Sequence, residues 1–265
     1  MSNRSNSSLN SSVQAQAPAE IEQVIQQVSH ASINLNPREL EHLTAAAARK
    51  LLHRVWRSRI PSDVTVRYVA EASTIVNELV FAAYWSGMKK AAKEFGRSHA
   101  SPTQQDWQTI ETQRFRFRAD VNRLIQDMVS DAQHEGKLDM VYYERRSDLI
   151  MQMAVWSSYN AAKVAFYRRL TLPRTAMAQA ATFIESFTFE TCGDDAVCEI
   201  CERIEIQSQL DPVTNIDDLP HPPDDTHPNC RCEIVANIVR VSNVQEPIFI
   251  PEEEVGRIRP RLIVP

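Results

Sequence analysis

Between Thr191 and Glu233 the chain places all five of its cysteines and two of its seven histidines, and that crowding constrains the fold more than any other feature. Cys198 and Cys201 form a Cys-x-x-Cys knuckle, and about 25 residues later His227, Cys230 and Cys232 arrive in the run HPNCRC. Two ligand pairs bracketing a long loop are how a short segment builds a tetrahedral zinc site, because thiolate and imidazole are the donors zinc prefers. The expected ligands are four of these five: Cys198, Cys201 and Cys230, with His227 or Cys232 as the fourth. Cys192 falls outside the spacing and reads as a plain thiol. Cys230 and Cys232 are too close in sequence for a good disulfide. Bound zinc would supply folding energy on the order of 10 kcal/mol, enough to hold a segment rich in acids and poor in large apolar groups.

The ligand order argues for a structural metal. A zinc deaminase places H-x-E ahead of P-C-x-x-C and uses the glutamate as a proton shuttle. Here the order is reversed and no H-x-E occurs. Glu199 and Glu202 flank the knuckle, but four protein ligands leave no coordination position for a reactive water. No catalytic residue is therefore expected, and the chain does not read as an enzyme.

With 265 residues, 43% of them apolar, the chain can bury one main core and a smaller appendage. Only five glycines occur, and neither a Walker-type loop nor a G-x-G-x-x-G run is present, which disfavours nucleotide binding and turn-dense β architecture. The net charge of -5 hides an asymmetry. From Pro37 to Glu190 there are 22 Lys and Arg against 17 Asp and Glu; from Thr191 onward there are 6 against 15. A mildly basic body thus precedes a strongly acidic tail, which bears on partners. No run has the apolar length of a signal-peptide core or a membrane span, so a reducing cytosol is the expected place of synthesis.

Residues 1–18 are rich in Ser, Asn and Gln and read as a disordered arm; a short amphipathic helix over 19–29 can follow. Asn36 as N-cap, Pro37 at the first helical position and Glu39 three residues after the cap predict a helix that ends before Pro61, with a seam of Leu40, Leu43, Ala47, Leu51 and Val55. A second helix is expected from Ser62 or Asp63 to about Phe95, buried through Val69, Ala72, Ile75 or Val76, Leu79 and Ala83 and capped by Gly96. Tyr84 and Trp85 belong to its core side. A third is expected from about Thr103 to Glu135, and a fourth from Met140 to Leu170 with a seam of Leu149, Met153, Trp156, Asn160, Val164 and Tyr167. Arg174 to Ser186 reads as one further helix, Phe187 opens the β-like clasp, and Cys232 to Val241 has the β-branched content of a strand. The stretch after it carries four prolines and reads as an extended tail. The fold class is mainly α, with long helices, a small α+β C-terminal zinc-clasp subdomain and extended termini. The boundaries are 1–18 for the arm, 19–186 for the helical body, 187–241 for the clasp and 242–265 for the tail.

Basic residues recur on the helical faces, at Arg54 and Arg57 and again in Arg114-Phe115-Arg116-Phe117-Arg118. Alternating cations and rings suit a nucleic-acid platform, which makes a zinc-stabilised nucleic-acid-binding module the alternative reading. The helical period continues through Val121, Leu124, Ile125 and Met128, so the expectation is a helix whose phenylalanines are buried while its arginines reach solvent.

The clasp also carries a resemblance. Thr191 and Asp195, then VCEIC at Val197 to Cys201, a lead-in at His221-Pro222-Pro223, and HPNCRC at His227 to Cys232 resemble the Mu F-like, or phage head morphogenesis, minor head proteins. The preceding VWSSYNAAKVAFYRR looks like that family's last helix before its clasp. The likeness covers roughly 145–236. It departs from the family at Arg203 to Ile206, where a glycine is usual, and at Val155 to Ser158, where an Arg-Thr-Glu type motif is usual. The resemblance implies a structural minor capsid protein, made in the host bacterial cytoplasm and located in the virion head near the portal. Its implied partners are the portal or major capsid protein, with packaged DNA within reach; neither a membrane nor a small-molecule substrate is implied.

Overall fold

A computed structural model describes residues 36–241, apart from 58–61, 99, 135–137, 173, 178–179 and 194–196. The expected arm over 1–18, the helix over 19–29, the tail over 242–265 and the helix-closing Pro173 lie outside the described residues. The protein is mainly helical, with a small antiparallel sheet and a cysteine cluster near the end of the described chain.

Four long helices form the body: α1 (Pro37–Arg57), α2 (Ser62–Glu94), α3 (Gln104–His134) and α4 (Met140–Leu170). Their ends follow local chemistry. The Asn36 side chain accepts from the Glu39 amide at 3.0 Å while the Glu39 carboxylate accepts from the Asn36 amide at 2.9 Å, a reciprocal capping box. At the far end of α2, Gly96 takes φ 83°, and the Gly96 and Arg97 amides return to the carbonyls of Lys93 and Ala92 at 3.0 and 2.8 Å. That left-handed residue costs glycine nothing and closes the helix. Asp139 caps α4 through the Tyr142 amide at 3.2 Å.

The predicted seam of α4 is too narrow. From Met151 to Tyr167 this helix is buried almost all round, because α1, α2 and α3 each pack on it and the sheet covers what they leave. Ala154, Ser157, Ser158 and Ala162 are small enough to let those neighbours approach. Gly87 on α2 marks the tightest crossing: a Cβ there would lie 2.2 Å from the Tyr159 carbonyl oxygen. That atom is backbone and cannot rotate away, so Gly87→Ala is expected to push the helices apart and cost about 3 kcal/mol, read as a shift in the urea midpoint.

One expectation fails between α4 and the clasp. Residues 174–186 do not form a single helix: a short turn of helix, α5 (Arg174–Met177), is followed by β1 (Thr182–Glu190). The sequence TFIESFTFE alternates aromatic and β-branched residues, and β1 has a partner in β2 (Glu233–Arg240), so pairing overrides local helix preference. The register runs from Thr182 opposite Arg240 to Glu190 opposite Glu233, with an irregularity between Ile184 and Ser186. Phe187 also exchanges both backbone hydrogen bonds with Val213, at 2.7 and 3.2 Å. The strand reading of 232–241 agrees with β2.

Between the strands lies a helix absent from the sequence expectations, α6 (Glu199–Leu210), followed by a single 3-10 turn at Ile216–Asp218. Among the described residues no helix is long and apolar enough to cross a membrane.

Candidate metal centre

The knuckle is built into the start of α6. Cys198 is the N-cap residue, and its Sγ lies 3.5 Å from the Cys201 amide, placing Cys201 in the first turn facing inward. The second ligand segment reaches the same point from a turn closed by the Cys230 amide on the His227 carbonyl at 2.9 Å. Two overlapping groups result, Cys198 with Cys201 and His227, and Cys201 with Cys230 and Cys232; within each, the ligand atoms lie within 4.8 Å of one another. Cys201 belongs to both. Its Sγ is 3.3 Å from His227 Nε2 and 3.6 Å from Cys230 Sγ. The edge of a tetrahedron with zinc–sulfur bonds of 2.3 Å is about 3.8 Å, so these separations are close to those between ligands around one ion. The cluster can hold a metal ion.

The five predicted ligands fall into these two groups, joined at Cys201. Cys192 lies outside both groups, and none of the five cysteines is in a disulfide. Phe189, Val197 and Ile204 pack around the sulfurs. Without metal the thiols share protons unequally. Burial, then the neighbouring Cys230, pushes Cys201 up to about 12. A hydrogen bond from Cys232 pulls Cys230 down to about 5, and its bond to Cys230 holds Cys232 well above the ordinary thiol range.

What seats this centre on the body is a strip of polar side chains along α4. Gln152 donates to the Asn229 carbonyl at 3.0 Å and Asn160 to the Cys232 carbonyl at 3.0 Å. Ser157 donates to Asp224 at 2.6 Å, and Lys163 to Glu233 at 2.6 Å. Arg231, inside the HPNCRC run, reaches Glu41 on α1 at 2.8 Å, where Trp156 Nε1 also donates at 3.0 Å. Periodicity marked Trp156 and Asn160 as core residues; it gave no sign that they and their neighbours bind a distant loop.

The proposed contact arginines are distributed differently. Arg114 pairs with Glu111 at 2.6 Å and donates to the Asn77 carbonyl at 3.1 Å, and Arg116 pairs with Asp224 at 2.7 Å. Arg118 is half-buried, Arg54 is half-buried on α1 and Arg57 is exposed near its end. Phe117 is buried as expected, whereas Phe115 is 71% exposed. Two residues apart on a helix, the rings point about 200° from each other, so only one can enter the core. Glu199 and Glu202 both lie exposed on α6.

A cleft of about 400 Å³ opens between α3, α4 and the 221–224 turn, lined among others by Asp106, Asn160, Arg168, Arg169 and His221. Its charges are paired internally. Asp106, buried, accepts from the Tyr84 hydroxyl at 2.6 Å and from the Thr103 amide at 2.6 Å, and it pairs with Arg169. Burial alone would raise its pKa, but the bonds from Tyr84, Thr103 and Arg169 outweigh it and hold the carboxyl below its ordinary value. Its stabilising contribution is therefore present above the unfolded value of about 3.9 and is lost as pH falls from there through the folded value. Asp106→Asn is expected to lose about 3 kcal/mol at pH 7, with the deficit relative to wild type shrinking below about pH 4; urea titrations at the two pH values measure it.

Compared with family models, curated proteins and solved structures, the chain matches none.

Proposed function

We propose that the chain is a non-enzymatic structural protein of a tailed-bacteriophage head: a minor capsid protein acting in head morphogenesis beside the portal, with a structural zinc clasp. The observation that carries this reading is the convergence of the Cys198–Cys201 knuckle with the HPNCRC run on a helix bearing VWSSYNAAKVAFYRR. These are the segments on which the family resemblance rests, and in the fold they form one unit. The proposed ligands are Cys198, Cys201, Cys230 and His227, a three-sulfur, one-nitrogen set that suits zinc and leaves no position for a substrate. Cys232 then hydrogen-bonds to a ligand sulfur. The portal or major capsid protein is the partner, and the host cytoplasm is the site of synthesis.

The experiment is to purify heads of the phage that encodes the chain, probe them for the protein, and measure metal in the isolated protein. Presence in heads with one zinc per chain is expected. Absence from heads at every assembly stage rejects the capsid role, and a folded, metal-free protein rejects the clasp.

A further inference from the structure

Helix α6 has two contrasting faces. On one, Cys201 enters the metal cluster, Glu205 accepts from the Thr191 amide and hydroxyl at 3.2 and 2.8 Å, and the Ser208 hydroxyl accepts from the Phe189 amide at 2.9 Å. The other carries Ile200, Arg203, Ile206 and Leu210. At about 100° per residue, the middle of that set lies roughly 170° around the helix from the inward set. Ile200 is 57% exposed, Ile206 55% and Leu210 83%.

Single exposed apolar side chains are ordinary. Here three share one side of a 12-residue helix, in a row interrupted by Arg203, whose alkyl stem is itself apolar. A helix this short is marginal by itself. It is held at its start by Cys198 and along its inner face by the cluster, so the strip is presented on a fixed support.

Charge selects the occupant. Glu199 and Glu202 are exposed beside the strip and exposed Asp211 follows its end, three acids against the one base, Arg203. A second copy docking α6 on α6 would bring acids against acids. We propose that α6 docks through Ile200, Ile206 and Leu210 into an apolar groove rimmed by lysine or arginine on another polypeptide. The inference rests on the head-protein reading for the source of that partner, a component of the phage head.

The test uses full-length protein in heads of the encoding phage. The double substitution Ile206→Glu with Leu210→Glu is expected to keep the metal content and melting curve of wild type while its incorporation into heads falls about tenfold or more, equivalent to at least about 1.4 kcal/mol of docking. A photo-cross-linking residue at position 210 is expected to link to a head component, beside a groove bordered by basic residues. If wild type itself is absent from heads, the head-protein reading fails and the inference falls with it. If wild type is present and the folded double variant enters equally well, the inference alone is overturned. Cross-links to a second copy, to residues 242–265 of the same chain, or to a surface without basic residues overturn it too.

Discussion

Cys201→Ser is expected to empty the metal site and unfold the clasp while leaving the helical body assembled. Cys201 is the one residue common to both ligand groups, so its loss leaves neither group intact. It is buried with Cys230, Cys232 and Phe189, a cluster whose apolar content is small beside that of the body. Zinc supplies on the order of 10 kcal/mol in such sites, and α6 with the 227–230 turn depends on it, whereas Ile216 and Leu219 anchor the intervening loop in the main core. Metal analysis should fall to background, and amides of 198–210 and 227–230 should lose hydrogen-exchange protection while those of α2 and α4 keep it. Cys192→Ser is the control and should change neither. His227→Ala should lose metal and Cys232→Ser retain it if the proposed ligand set is right. Because thiols must shed protons to bind metal, affinity should weaken as pH falls. The protonated state of Cys201 in the apo cluster acts in the same direction.

The second large effect is expected at Lys163. This side chain is 0% exposed, donates to Glu233 at 2.6 Å, lies 3.6 Å from Glu94, and has the Tyr159 and Tyr167 rings at 5.8 and 6.0 Å. Tyr159 donates to Glu233 at 3.3 Å, and Tyr167 donates to Glu94. Burial, reinforced by those carboxylates, raises both phenols above their ordinary pKa, so they remain donors. One ammonium thus joins the end of α2, the middle of α4 and the first residue of β2. Lys163→Met removes the cation and leaves two carboxylates close together. Breaking a buried pair costs roughly 3–5 kcal/mol, and the lower end applies because both carboxylates retain some solvent contact. Adding Glu233→Gln to Lys163→Met should recover much of the loss, since an amide needs no counter-charge. Denaturant midpoints of the two variants measure this directly.

Much of the architecture is legible in the residues because its causes are local. Asn36, Pro37 and Glu39 specify a helix start through atoms three positions apart, and Gly96 specifies an end through its own φ. The long apolar periods require helices, and four of them were expected close to where they occur. Even the metal centre is visible, because cysteine spacing limits what a turn can bring together. The 174–186 segment is the counterexample. Its strand exists because β2 arrives from fifty residues later, and a window of neighbours holds no record of that. The helix at 199–210 escaped for a related reason: its inward face is anchored by a thiol, a serine and a glutamate rather than by an apolar stripe.

Capping, periodicity and ligand spacing act over a few residues, so the mainly helical fold and the metal-ligand candidates Cys198, Cys201, His227, Cys230 and Cys232 are readable from the chain before it folds. The packed molecule adds that Cys201 is the shared corner of the cluster, that Gln152, Ser157, Asn160 and Lys163 bind the clasp to the body, and that Ile200, Ile206 and Leu210 face outward on one side of α6. Those facts depend on which faces meet across separations of 26 to 77 residues, or on which face a short helix turns away from its support. Burial and hydrogen-bond satisfaction of the whole chain select those faces; the local pattern does not contain them.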